Sequence, residues 1–163
     1  MRHPAQAGAG FTLLEMLIVL AIIGILMGLA GVNFIRAMRT AELREAATQL
    51  STDLVRMRSL AQQQSVNHAV TWSGGGVLSV YAVDGVRRTL PNRTTFECLL
   101  GCGAASAPGV TYLAPSGELQ NAGTGSAGGT VMVVRSPFAE IAPLEVRLVG
   151  LTGKVIVTRA VAP

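Results

Sequence analysis

Polar and apolar positions divide the chain into an unbroken apolar run, an amphipathic stretch and a series of alternating segments. From Phe11 to Phe34 the only charged residue is Glu15. A helix that crosses a bilayer needs about 20 mostly apolar residues, so this run has the length and composition of a membrane span. Further on, Leu43, Ala47, Leu50, Leu54, Met57 and Ala61 recur at alternating spacings of four and three, which lays one apolar stripe along a helix. Arg36, Arg39, Glu42, Arg44, Glu45, Asp53, Arg56 and Arg58 fall mostly on the other faces. Neither Gly nor Pro interrupts residues 32–64, and one helix from about residue 12 to residue 64 is predicted.

The period falls to two after Asn67. Strands are predicted at 68–72, 77–83, 86–90, 110–113, 130–135, 144–149 and 154–160. Asp84-Gly85 between two of them is a strong hairpin signal, because a two-residue type I′ turn needs positive φ at both positions. Gly150-Leu151-Thr152-Gly153 marks a second hairpin, and 121–129, rich in Gly, Ala, Ser and Thr, reads as a loop. One helix followed by consecutive antiparallel strands gives an α+β fold, with the second half of the helix on one face of an antiparallel sheet. The implied divisions are a leader at 1–10, the apolar helix at 11–34, its amphipathic continuation at 35–64 and a β-rich domain at 65–163.

The leader is short and polar, with Arg2 and His3 ahead of the span, which favours a cytoplasmic N-terminus and places the rest of the chain outside. An ordinary secretory signal is cut after its apolar centre. Here the small residue that invites cleavage, Gly10, precedes the apolar run, so cleavage there leaves the helix on the mature chain. An uncleaved anchor is the other reading. A carboxylate inside hydrocarbon is costly and normally functional. Four residues of helix advance about 6 Å, which would set Phe11 and Glu15 on one face and bring a new Phe11 amine near the acid. Gly24 and Gly28 form a Gly-x-x-x-Gly spacing suited to close helix packing.

Gly10-Phe11-Thr12-Leu13-Leu14-Glu15 resembles the class III signal of type IV pilins and type II secretion pseudopilins. The resemblance implies cleavage between Gly10 and Phe11 by a prepilin peptidase, N-methylation of Phe11, and a role for Glu15 in filament assembly. It also implies an inner-membrane, single-pass protein whose C-terminal domain lies outside the cytoplasm, and which joins other pilins or pseudopilins in a periplasmic or cell-surface filament. The run Leu54-Val-Arg-Met-Arg-Ser-Leu-Ala61, the segment Tyr112-Leu-Ala-Pro-Ser-Gly117 and the strand Gly153-Lys-Val-Ile-Val157 are similar to the GspH/FimT branch of minor pilins and pseudopilins. That likeness implies a pilin fold and a minor subunit.

The net charge of +4 is mild and permits an anionic partner without requiring one. Some members of the FimT branch capture DNA through arginine-rich C-terminal segments, which makes DNA uptake the alternative function and Arg147, Lys154 and Arg159 the candidate contacts. Lys154 and Arg159 could line one end of the sheet. The branch's Gly-Arg-x-Arg pattern is replaced here by Gly153-Lys154-Val155-Ile156; the other reading of these basic residues, which the missing pattern favours, is an ordinary solvated face. Arg87, Arg88 and Arg93 form a second basic cluster suited to a partner subunit.

Cys98 and Cys102 are the only cysteines. Outside the cytoplasm an even count suggests a disulfide, with free thiols as the alternative. Zinc would want about four N or S ligands, and His68 is the only histidine beyond the leader, so no metal or cofactor is expected. With one histidine, no Cys-His or Ser-His-Asp arrangement has local support. No catalytic residue is assigned, and the chain reads as a non-enzyme.

Overall fold

A computed structural model describes residues 11–122, 124–125 and 128–160. The chain divides into two units between Ala37 and Met38. A single α-helix, α1 (Leu13–Gln64), supplies most of the described part of the first unit and the opening of the second. In the first unit its described side chains are all exposed, and this portion is apolar and long enough to cross a membrane. Predicted leader residues 1–10 lie outside the described residues.

In the second unit the rest of α1 is followed by β1 (His68–Thr71), β2 (Val77–Leu78), β3 (Val80–Val83), β4 (Val86–Thr89), β5 (Thr95–Leu100), β6 (Gly103–Ala104), β7 (Ala107–Leu113), β8 (Glu118–Asn121), β9 (Thr130–Arg135), β10 (Leu144–Val149) and β11 (Lys154–Arg159). They form two antiparallel sheets rather than one. The first runs β4-β3-β1-β7-β6, with β8 also on β7, and the second runs β11-β10-β9-β5-β2. The α+β expectation holds, and the helix packs on antiparallel sheet as predicted.

The second sheet arises from a bend that hydrophobic alternation conceals. The predicted strand 77–83 is two strands: Leu78 pairs with Phe96 of β5 in one sheet, whereas Val83 pairs with Val70 of β1 in the other. Leu78 and then Tyr81 and Val83 turn inward, so the inward parity switches at Ser79, where the chain passes between sheets. The Asp84-Gly85 hairpin forms as the sequence predicts. Val83 faces Val86 in register, and φ is +48° at Asp84 and +80° at Gly85, the type I′ combination.

One core joins the helix to both sheets. Leu43, Leu50, Leu54, Met57 and Ala61 of the predicted stripe are buried against Val70, Tyr81, Val110 and Tyr112 of the first sheet and Phe96, Met132, Val146 and Leu148 of the second. The Phe96 ring lies edge-on to Trp72 at 5.9 Å and to Tyr81 at 6.1 Å between centroids, the arrangement aromatic quadrupoles prefer. At the other end of this portion of α1, Arg39 pairs with Glu140 and stacks over Phe138 at 3.8 Å, fastening the helix to the β9–β10 connection.

Candidate functional site

The start of α1 is built by its own sequence. Thr12 Oγ1 accepts a hydrogen bond from the Glu15 N–H at 3.2 Å, and the Thr12 carbonyl accepts from Met16 N–H at 3.3 Å. Thr12 is therefore the N-cap, and Glu15 stands at the third helical position, the Thr-x-x-Glu spacing of a capping box. An acid in the first turn also opposes the partial positive charge of the helix N-terminus. Phe11 lies just outside the helix and is exposed; Thr12 takes the cap, and the helix begins at Leu13. Among the described residues the Glu15 carboxylate has no hydrogen-bonding or ion-pair partner. Gly10 lies outside the described residues.

The C-terminal cations are not brought together. Arg147 engages both carboxylate oxygens of Glu145 through Nε and a terminal nitrogen. That partner raises the Arg147 pKa above its usual value. Lys154 and Arg159 do not line one end of the sheet, which leaves the solvated-face reading. Five steps along β11 separate them by about 17 Å, and an odd number of steps points their side chains to opposite faces. The register pairs Lys154 with Val149 at one end of β10 and Arg159 with Leu144 at the other. Of the second basic cluster, Arg87 and Arg88 occupy successive positions of the edge strand β4 and point to opposite faces. Arg93 sits in a separate turn at φ +55°, where Asn92 donates to Glu45 of the helix at 3.1 Å.

Cys98 and Cys102 form a disulfide with a Cα separation of 5.7 Å, closing a short loop at the irregular end of β5. Gly101 within that loop has φ +65°, and a Cβ there would meet the Gly129 carbonyl oxygen at 2.2 Å, so only glycine fits.

Two polar arrangements went unread in the sequence. Asp53, expected on a polar face, is buried and accepts a hydrogen bond from the Tyr81 hydroxyl at 2.6 Å. Gln49 donates to the same hydroxyl and to the Thr89 carbonyl, each at 3.1 Å. The available signal was position: Asp53 falls three residues after Leu50 and four before Met57, inside the apolar stripe. In the second arrangement Asp84 accepts from Ala69 N–H at 3.0 Å and contacts His68 Nδ1 at 2.6 Å. His68 thus serves a hairpin.

Residues 7–31 match the family model described as the prokaryotic N-terminal methylation motif. Comparison with curated proteins and with solved structures returns no match. The motif brackets the capped helix start, the Gly10-Phe11 junction and Glu15, and the N-terminus of this chain thereby carries the N-methylation motif of type IV prepilin-like proteins.

Proposed function

We propose that the protein is a minor pilin or pseudopilin, a structural subunit of a type IV pilus or a type II secretion pseudopilus. The observation that carries this reading is the coincidence of the methylation motif with a helix that begins right after the Gly10-Phe11 junction. Cleavage at that junction removes the leader, keeps Thr12 as the cap and leaves Phe11 as a one-residue extension bearing the new amine. Prepilin peptidase cuts after Gly10 and the Phe11 amine is methylated. The apolar helix first anchors the subunit in the inner membrane, with residues 38–163 outside the cytoplasm, and then enters the filament core.

Glu15 supplies register. It is an acid without a partner among the described residues, set in an otherwise uncharged run, and in an apolar surrounding it requires an opposite charge. The Phe11 amine of a neighbouring subunit provides one. The alternative of DNA capture draws on Arg147, Lys154 and Arg159, of which the first is occupied by Glu145 and the other two stand on opposite faces of β11.

The test is to express the full chain with a prepilin peptidase and with a filament-forming system, and to read mass and incorporation. Expected are loss of residues 1–10 with gain of one methyl group, and a Glu15→Ala protein that is processed but left out of filaments while Glu15→Asp is partly restored. An uncut chain, or normal incorporation of Glu15→Ala, would overturn the reading.

A further inference from the structure

The two sheets end in unlike edges. β4 closes the first sheet with four residues, of which Arg87 and Arg88 are charged, the kind of edge that resists pairing with another chain. β11 closes the second sheet with Lys154-Val-Ile-Val-Thr-Arg159. Its charges stand only at the ends, it holds neither Pro nor Gly, and its register with β10 runs from Lys154 to Arg159 without a bulge. Ile156 is 37% and Val157 44% exposed. Among the described residues, none of the devices that protect sheet edges is present in the middle of this strand.

The backbone groups facing outward can be identified. Ala160 N–H donates to the Pro143 carbonyl on the β10 side at 3.0 Å. Backbone groups alternate along a strand, so Ile156 and Thr158 also face β10, and Val155, Val157 and Arg159 present N–H and C=O to the open edge. An antiparallel partner strand must set its own outward-facing residues against these. When the partner is β11 itself, that parity rule forbids Lys154 from standing opposite Arg159 in every register.

We propose that β11 pairs with β11 of a second copy of the chain, antiparallel and with Ile156 opposite Ile156, joining two five-stranded sheets into one. In this register Val155 and Val157 of each copy exchange hydrogen bonds with Val157 and Val155 of the other. Lys154 faces Thr158, and Arg159 falls beyond the pairing, opposite Gly153. β-Branched pairs of this kind are favourable across a sheet. A shift that centres the pairing on Val157 sets Val155 against Arg159 and Lys154 against Ala160, exchanging apolar matches for apolar-to-charged ones. The pairing does not depend on the filament reading.

Cysteine scanning of the full chain in detergent micelles tests it. The native cysteines are bonded to each other, so an introduced thiol reacts alone. Ile156→Cys would sit in a non-hydrogen-bonded pair about 4.5 Å apart between Cα atoms, within disulfide range. Mild oxidation is expected to give at least tenfold more covalent dimer from Ile156→Cys than from Val149→Cys, which is exposed on the neighbouring strand. Adding Val157→Pro to Ile156→Cys removes an edge N–H that β10 does not use and should abolish the cross-link. In the otherwise native chain, Ile156→Lys places two cations face to face and should convert dimer to monomer in sedimentation. A native chain that sediments as a monomer, equal cross-linking at positions 149 and 156, or a dimer that survives Ile156→Lys would overturn the proposal; the last result would assign association to the apolar helix.

Discussion

The Tyr81 hydroxyl donates to the buried Asp53 carboxylate at 2.6 Å, tying the middle of α1 to β3. Gln49, one helical turn earlier, donates to the same hydroxyl, so the oxygen both gives and receives. The bond lies among apolar side chains, where an unpaired polar group is expensive. It therefore fixes which residues of the helix stand over the sheet, a constraint that the non-directional burial of leucines does not supply by itself.

Tyr81→Phe is expected to lower stability by about 1–3 kcal/mol, because it strips a buried acid of its donor. Tyr112→Phe provides the contrast. The Tyr112 hydroxyl is buried without a hydrogen-bond partner among the described residues, so its removal should be close to neutral or mildly stabilising. Chemical denaturation of the two variants checks the difference. Equal losses would mean that the Asp53 bond contributes nothing beyond ring packing.

Alkaline pH probes the same residues. Burial, then the hydrogen bond to Asp53, pushes the Tyr81 pKa up, and burial pushes Tyr112 up against the opposing charge of Arg58. A tyrosine whose pKa is higher in the folded state holds its proton there after the unfolded chain has released its own. Stability is then fully present below about pH 10 and falls above it, by about 1.4 kcal/mol per pH unit for each residue. These are the only tyrosines in the chain, so tyrosinate absorbance should appear together with unfolding rather than before it. Tyr81→Phe should roughly halve the slope.

The disulfide closes a loop so short that its effect on the unfolded chain is small. Chain-entropy reasoning gives about 2 kcal/mol for a loop of this length. Replacing both Cys98 and Cys102 by Ser should therefore lower stability by about that much while leaving the fold intact. Gly101→Ala should be worse than the loss of the bond, since its Cβ would collide with backbone rather than with a yielding side chain. Denaturation midpoints of the two variants rank the effects.

Strand β10 stood out in the sequence because Leu144, Val146 and Leu148 alternate with Glu145 and Arg147, and β9 because Val131 to Val134 form an apolar run of strand length; Met132 and Val134, then Val146 and Leu148, reach the core. The helix stood out for the same reason at its own period, and the Asp84-Gly85 turn because few residue pairs tolerate two positive φ angles. β5 was hidden although Phe96 and Cys98 alternate inward, since the register shifts between Cys98 and Leu100 and breaks the period. The passage between sheets at Ser79 was hidden because alternation scores a straight strand and a bent one alike. At the candidate site, the motif residues were legible as a string, and so was the separation of Lys154 from Arg159, since five steps along the predicted strand 154–160 already set them apart and on opposite faces. Asp53 was missed because a charged residue is read as solvent-facing unless its partner, twenty-eight residues away, is known.

The β3–β4 hairpin offers a last and sharper test. Asp84 combines two roles: its backbone takes φ +48° in the turn, and its carboxylate bridges Ala69 N–H and His68 Nδ1 of the adjacent strand. Asn tolerates the left-handed region nearly as well as Asp and keeps one acceptor oxygen. Asp84→Asn should retain the turn and lose only the contact with His68, a cost below about 1 kcal/mol. Asp84→Ala loses both bonds and strains the backbone, for an expected loss of about 2–3 kcal/mol. If the two substitutions cost the same, the carboxylate matters only through His68; if Asp84→Ala is harmless, Gly85 and strand pairing hold the turn without it.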